Sequence, residues 1–130
     1  MPATYQIDPE RALVIFRFWG ALDLALIAKI SEEALADPQW RASYDRVWDG
    51  RDITGLVMSL NDVKGLVFNI EQSMEHEPRV AMVGRRETDL VIGRLIKAFM
   101  RRRPIEVFKD YDEALRWLSE ARTRAADPNA

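Results

Sequence analysis

The sequence predicts a single α/β domain built on a mixed, mostly parallel sheet with an antiparallel edge strand. Three observations point there. Strand-like and helix-like hydrophobic periods alternate along the chain, with no internal repeat or linker before the last few positions. At 130 residues the chain has the common size of one domain. Arg79 to Val83 (RVAMV) is nearly all apolar, as a parallel strand covered on both faces should be.

Taken in order, Tyr5 to Ile7 reads as a short strand and Asp8-Pro9-Glu10-Arg11 as a turn. Ala12 to Trp19 is a β-branched and aromatic run that completes a hairpin ending at Gly20. Leu22 to Ala36 carries Leu26, Ile27, Ile30 and Ala34 at helical spacing, and Asp37-Pro38 terminates it. Arg46 to Trp48 reads as a short strand, followed by irregular backbone through Asp49-Gly50-Arg51-Asp52-Ile53-Thr54-Gly55. From Ser59 the period becomes 3.6, with Leu60, Val63, Leu66, Val67, Ile70 and Met74 on one stripe until Glu77-Pro78.

After the strand at 79–83, Thr88 reads as the cap of a helix whose stripe is Val91, Ile92, Leu95, Ile96 and Phe99, and which stops before Pro104. Ile105 to Phe108 is the last strand. Asp110 with Glu113 makes a capping box for a fourth helix with Tyr111, Ala114, Leu115 and Leu118 buried. The expected order is β-β-α-β-α-β-α-β-α, with the domain over residues 1–121 and a frayed tail over 122–130. Crossovers between parallel strands are right-handed, and ligands of such sheets sit beyond the carboxyl ends of the strands, where the 49–59 segment is expected.

Composition narrows the chemistry. The absence of cysteine excludes disulfides, thiolate nucleophiles and cysteine metal sites. The start of the chain, MPATYQIDPE, has neither a basic nor an apolar leader region, so a cytoplasmic location is expected. A net charge of −2 argues against general nucleic-acid binding, yet Arg85 to Arg103 holds seven cations against two anions. Neither G-x-G-x-x-G nor a Walker A pattern occurs, and Gly84-Arg85-Arg86 is too short to replace them. His76, the one histidine, lies in MEHEP, where a solvated residue or helix-end cap outweighs a catalytic base. No cofactor, no metal and no enzymatic activity are expected.

The hairpin pattern YxIDPExxLVxFRFxG, then a helix, then VWDGRDITG leading into a helix that starts at a serine, resembles the SpoIIAA-like family of small bacterial proteins. That family shares the fold of STAS domains, which include anti-sigma-factor antagonists and cytoplasmic domains of sulfate transporters. The resemblance covers residue 4 to about residue 120. It implies a regulatory, protein-binding module. In the antagonists a D-L-S-x-x-D-S-S-G loop carries a phosphorylated serine, and laying it on Asp52-Ile53-Thr54 brings its second serine onto Ser59. Val57, Met58 and Leu60 stand where that loop has aspartate, serine and glycine.

Ser59 is therefore either a helix cap assisted by Asp62 or a phosphoacceptor at a helix N-terminus. Around it, Asp52, Thr54, Leu56, Met58, Asp62 and Phe68 form the expected partner surface, since Phe68 lies off the buried stripe and Leu56 and Met58 are apolar groups the core does not obviously need. Asp49, Arg51 and Asp52 read as an ion-paired cluster that fixes a turn rather than as acid–base machinery. Arg94, Lys97, Arg101, Arg102 and Arg103 are the candidate contact to an anionic partner or a membrane. A protein partner is expected, with homodimerisation as a further option and no nucleic acid. The alternative is a carrier of an apolar or lipid-like ligand whose basic helix, residues 88–103, touches membranes; similarity groups the family with CRAL-TRIO-type lipid binders.

Overall fold

The computed structural model describes residues 2–73, 79–100 and 105–126. The elements follow the expected order: β1 (Ala3–Asp8), β2 (Leu13–Asp23), α1 (Leu24–Leu35), β3 (Asp45–Val57), α2 (Leu60–Ser73), β4 (Val80–Val83), α3 (Glu87–Phe99), β5 (Ile105–Phe108) and α4 (Tyr111–Ala126). They form one five-stranded sheet in the order β1-β2-β3-β4-β5. β1 pairs antiparallel with β2, and β2 to β5 run parallel.

This sequential order dictates the layers. Each crossover from β2 to β5 advances in the same direction, so right-handed connections place α1, α2 and α3 together on one face. The strand alternation agrees. Val14, Phe16, Phe18, Val80, Met82 and Ile105 join the core beneath those helices, whereas Leu13, Val47, Ala81 and Val83 meet Ala114 and Leu118 of α4 on the other face. The result is a three-layer sandwich with α4 alone on its side.

The largest departure from the sequence reading is the length of β2 and β3. The hairpin does not end at Gly20, and the DGRDITG segment is not irregular. Instead β2 and β3 pair from Leu13 against Asp45 to Asp23 against Val57, with register shifts between Arg17 and Trp19 and between Gly20 and Ala21. β4 pairs with β3 only over Arg46 to Asp49, so beyond Asp49 the two long strands continue as a parallel ribbon. Gly20 takes a φ of 70°, a conformation that only glycine adopts at little cost, at the second of those shifts. Leu22 and Ile53 are buried in the core beneath α1 to α3, and Leu56 packs against it, which anchors the ribbon there.

Helix ends also differ from expectation. Asp23 ends β2 and caps α1 at once, its carboxylate accepting from Leu26 N at 2.9 Å. Thr88 is not a cap. α3 begins two residues earlier than that cap would imply, at Glu87, with Arg86 at the cap position, where no side-chain capping bond forms. α4 does not fray past Ala121 but runs to Ala126: Ala121 is buried, and Arg122 lies 3.7 Å from the buried carboxylate of Asp45. Asp110 does cap α4, accepting from Asp112 N at 2.8 Å and Glu113 N at 3.2 Å.

Candidate functional site

The ribbon delivers the chain to Ser59. Its hydroxyl accepts from Asp62 N at 3.1 Å, and the Asp62 carboxylate accepts from Ser59 N at 2.9 Å. This is a reciprocal capping box with aspartate in the usual glutamate position. Met58 and Val63, the residues just before the cap and four positions after it, pack into the same core cluster, which fixes the angle at which the chain enters α2. The Ser59 oxygen is thus engaged as a cap on an exposed corner. A phosphate on it would stand beside the Asp62 carboxylate, so the positive end of α2 is already served by an anion.

Around this corner three large apolar side chains are exposed: Val57 at 68%, Leu60 at 53% and Phe68 at 61%. Leu60, Lys64 and Phe68 follow one another at i, i+4 and i+8, so they share one side of α2. The Lys64 ammonium lies 5.8 Å from the centre of the Phe99 ring of α3, which places the stripe beside that helix. Val57 and Leu60 stand at two of the positions where the chain departs from the antagonist loop, and only the structure reveals them as surface. The available signal was local: apolar residues on both sides of a capping serine, where a helix start is normally polar.

The expected partner residues do not form one patch. Leu56 and Met58 are half-buried against the core rather than presented to solvent. Asp52 is exposed, but it pairs with Arg17 at 3.1 Å and shares a hollow with Thr4, Arg17 and Trp19, on the sheet face away from Phe16 and Phe18. Thr54 is exposed, and its carbonyl accepts from Arg86, whose guanidinium also makes two bonds to Asp89 at 2.7 and 2.9 Å. Arg86 therefore fastens the free edge of the ribbon to the first turn of α3, a role the sequence did not suggest.

The Asp49, Arg51 and Asp52 cluster also separates. Asp49 is 4% exposed and accepts from Arg51 Nε and Nη2 at 2.9 Å each, and from Arg51 N at 3.2 Å. The guanidinium of Arg51 in turn stacks 4.4 Å over the Tyr111 ring of α4. Burial pushes the Asp49 carboxyl up, but the bonds and charge of Arg51, with the charge of Arg17, outweigh it and hold the group below the usual carboxylate range. Burial, followed by the charge of Asp49, pushes the Tyr111 phenol up. Asp49 and Arg51 lock β3 to α4, while Asp52 pairs with Arg17 instead.

Of the basic group, Arg94 lies 3.4 Å from Glu87 and Lys97 lies 2.8 Å from Glu106, so both exposed cations have an acidic neighbour. Arg101, Arg102, Arg103 and His76 fall outside the described residues. Among the described residues no group of three or more histidine, aspartate or glutamate side chains could hold a metal ion, and no helix is long and apolar enough to cross a membrane.

No protein-family model and no curated protein matches the chain. Among solved structures, the crystal structure of an uncharacterised protein of the DUF3478 family from Shewanella loihica PV-4, with a SpoIIAA-like fold, aligns at a TM-score of 0.55 and 24% identity, over 82% of this chain and 83% of that one. The fold is SpoIIAA-like. Its mixed five-stranded sheet and four helices are those expected from the hairpin pattern and the VWDGRDITG segment.

Two hollows of the SpoIIAA-like fold bear on ligand binding. At the carboxyl edge of the sheet, where an open α/β sheet would hold a ligand, the ribbon and α3 close over a crevice of about 80 Å3 lined by Ile53, Leu56, Met58, Ile92 and Ile96. The second is larger, about 310 Å3, and lies between α1, the sheet and Leu66 of α2.

Two outcomes are expected from these contacts. Ser59→Ala removes the hydroxyl from the capping box and should lower unfolding free energy by about 0.5–2 kcal/mol in denaturant titrations. Asp49→Asn should cost about 1–3 kcal/mol at neutral pH through the weakened pair with Arg51. Because the folded pKa of Asp49 is depressed, its stabilisation is complete above the unfolded value of about 3.9 and is lost as pH falls through the lower folded value. Denaturation followed against pH should therefore show a shallower acid decline in Asp49→Asn than in the parent.

Proposed function

We propose that this domain works by binding, as a non-enzymatic protein-interaction module with a regulatory role. Its recognition surface is the Ser59 corner with the outer side of α2. One observation carries the reading: Val57, Leu60 and Phe68 are each more than half exposed on and beside a helix whose start is rigidly set. Side chains of this size contribute most when buried at the centre of an interface, and their exposure next to an ordered cap supplies anchors without a large ordering penalty. The SpoIIAA-like fold supports the same reading, since the antagonists that share it are expected to dock through the serine-bearing loop and helix.

Within this reading Ser59 is first a structural cap. A regulatory phosphate would have to displace the Ser59–Asp62 reciprocity, so modification would loosen the start of α2 and alter the surface by that route. A second reading, a carrier of an apolar ligand, is favoured by the cavity of about 310 Å3 beside α1. The crevice at the carboxyl edge, about 80 Å3, cannot admit an acyl chain.

The interaction reading is tested by placing a photo-crosslinking amino acid at Phe68 and, as a control, at the exposed Arg116 of α4, in the native host. A discrete adduct from position 68 that is absent at 116, and that disappears in Leu60→Asp with unchanged melting temperature, is the expected result. Adducts of equal yield and pattern at both positions would refute it.

A further inference from the structure

The three-helix layer carries more exposed apolar surface than the opposite side of the sheet. Leu35 of α1, Leu60 and Phe68 of α2 and Val91 of α3 are exposed there, whereas α4 exposes no large apolar side chain among the described residues. Two rows on this layer match each other. On α1, Ala28, Glu32 and Leu35 are exposed at i, i+4 and i+7, and all three line the hollow of about 310 Å3 between α1 and Leu66 of α2. On α2 the row is Leu60, Lys64 and Phe68. Each row is apolar, charged, apolar, with the acid in one and the cation in the other. Asp23 and Val57 are paired in the ladder, so the two helices set out from the same level of the sheet. Glu32 and Lys64 therefore come to lie at similar heights, as do Leu35 and Phe68. Neither charge has an opposite within the chain. Among the described residues Glu32 has no cation and Lys64 no carboxylate within 4.0 Å, and Lys64 makes only the distant approach to the Phe99 ring.

We infer that a second copy of this chain covers this layer, in a two-fold dimer that seats Phe68 of each copy in the hollow beside the other's α1 and sets Lys64 of each on the other's Glu32. The inference rests on the interaction reading and names its partner. Under a two-fold axis the α2 row of each copy meets the α1 row of the other, so the contact closes on two copies instead of growing into a chain. Leu24, Leu35 and Trp40 wall the hollow and Phe16 and Trp48 lie at its base, so a phenyl ring entering it meets chiefly aliphatic and aromatic groups. The two ion pairs fix the register of the contact, and the phenyl rings and leucines supply most of its strength. A uniformly acidic or basic partner would satisfy only one of the two rows, whereas a copy of the chain satisfies both.

Sedimentation equilibrium of the full chain over a range of concentrations tests this. A monomer–dimer equilibrium of micromolar or tighter affinity is expected, with the photo-adduct from position 68 at twice the chain mass. Lys64→Glu and Glu32→Lys each replace two attractions by two repulsions, and each alone should weaken the dimer about tenfold or more. Mixed in equal amounts, the two variants should regain the parental affinity, because every charge again faces its opposite; a folding defect would not be mended by mixing. Phe68→Ala should weaken the dimer roughly a hundredfold and leave the monomer folded. A chain that stays monomeric, or a dimer indifferent to both charge reversals, would overturn the inference. The interaction reading would then still stand if position 68 captures a different protein, and would fall too if positions 68 and 116 give the same adducts.

Discussion

The parallel ladder between β2 and β3 is the constraint on which the rest of the molecule depends. It runs past the end of β4, from Leu13 against Asp45 to Asp23 against Val57, and both of its far ends are helix caps or lead directly into one. Asp23 closes the ladder and starts α1; Val57 closes it and, two residues on, Ser59 starts α2. The positions of two of the three helices on that face are thus set by strand register rather than by flexible connections. A slip of one residue would turn Leu22 and Ile53 outward and lose the apolar contacts that hold the ribbon to the core.

Polar contacts finish what the ladder begins. The ribbon leaves one edge of β3 without a neighbouring strand beyond Asp49, and an open parallel edge would present unpaired carbonyls. Arg86 serves Thr54 there while holding Asp89 in the first turn of α3. At the base of the ribbon, Asp49, Arg51 and Tyr111 join β3 to α4 on the opposite layer. These charged groups, which in isolation resemble acid–base machinery, act as fasteners between layers. In the proposed reading the recognition surface is the apolar stripe on α2, and the alternative reading places a ligand in the hollow beside α1. Partner and ligand would then meet different sides of the same group of helices, with Leu66 of α2 lining the ligand side and Leu60 and Phe68 facing the solvent side.

Much of this was legible in the residues. The alternation of periods yields every element in order, and RVAMV reads correctly as a fully covered parallel strand because all four residues of Val80–Val83 are buried. Asp110 reads correctly as a cap because local side-chain bonds need no tertiary partner. What the sequence hid was the ribbon. Its segments, Gly20-Ala21-Leu22-Asp23 and Asp52-Ile53-Thr54-Gly55, combine glycine and aspartate with few β-branched residues, and each extends only because the other lies alongside. The same cause misplaced Leu56 and Met58, which look superfluous to a core only while the ribbon is thought to be a loop. The continuation of α4 buries Ala121 and brings Arg122 to 3.7 Å from Asp45, a neighbour remote in sequence that leaves no local signal.

The central claim is that residues 50–57 are a paired strand that sets the start of α2. Amide hydrogen exchange on the intact chain measures it directly. Every second amide from Ile53 to Val57 should be protected by orders of magnitude relative to exposed loop amides, in the same class as those of Phe16 and Val47. Exchange of all these amides at loop rates, with Phe16 and Val47 still protected, would contradict it.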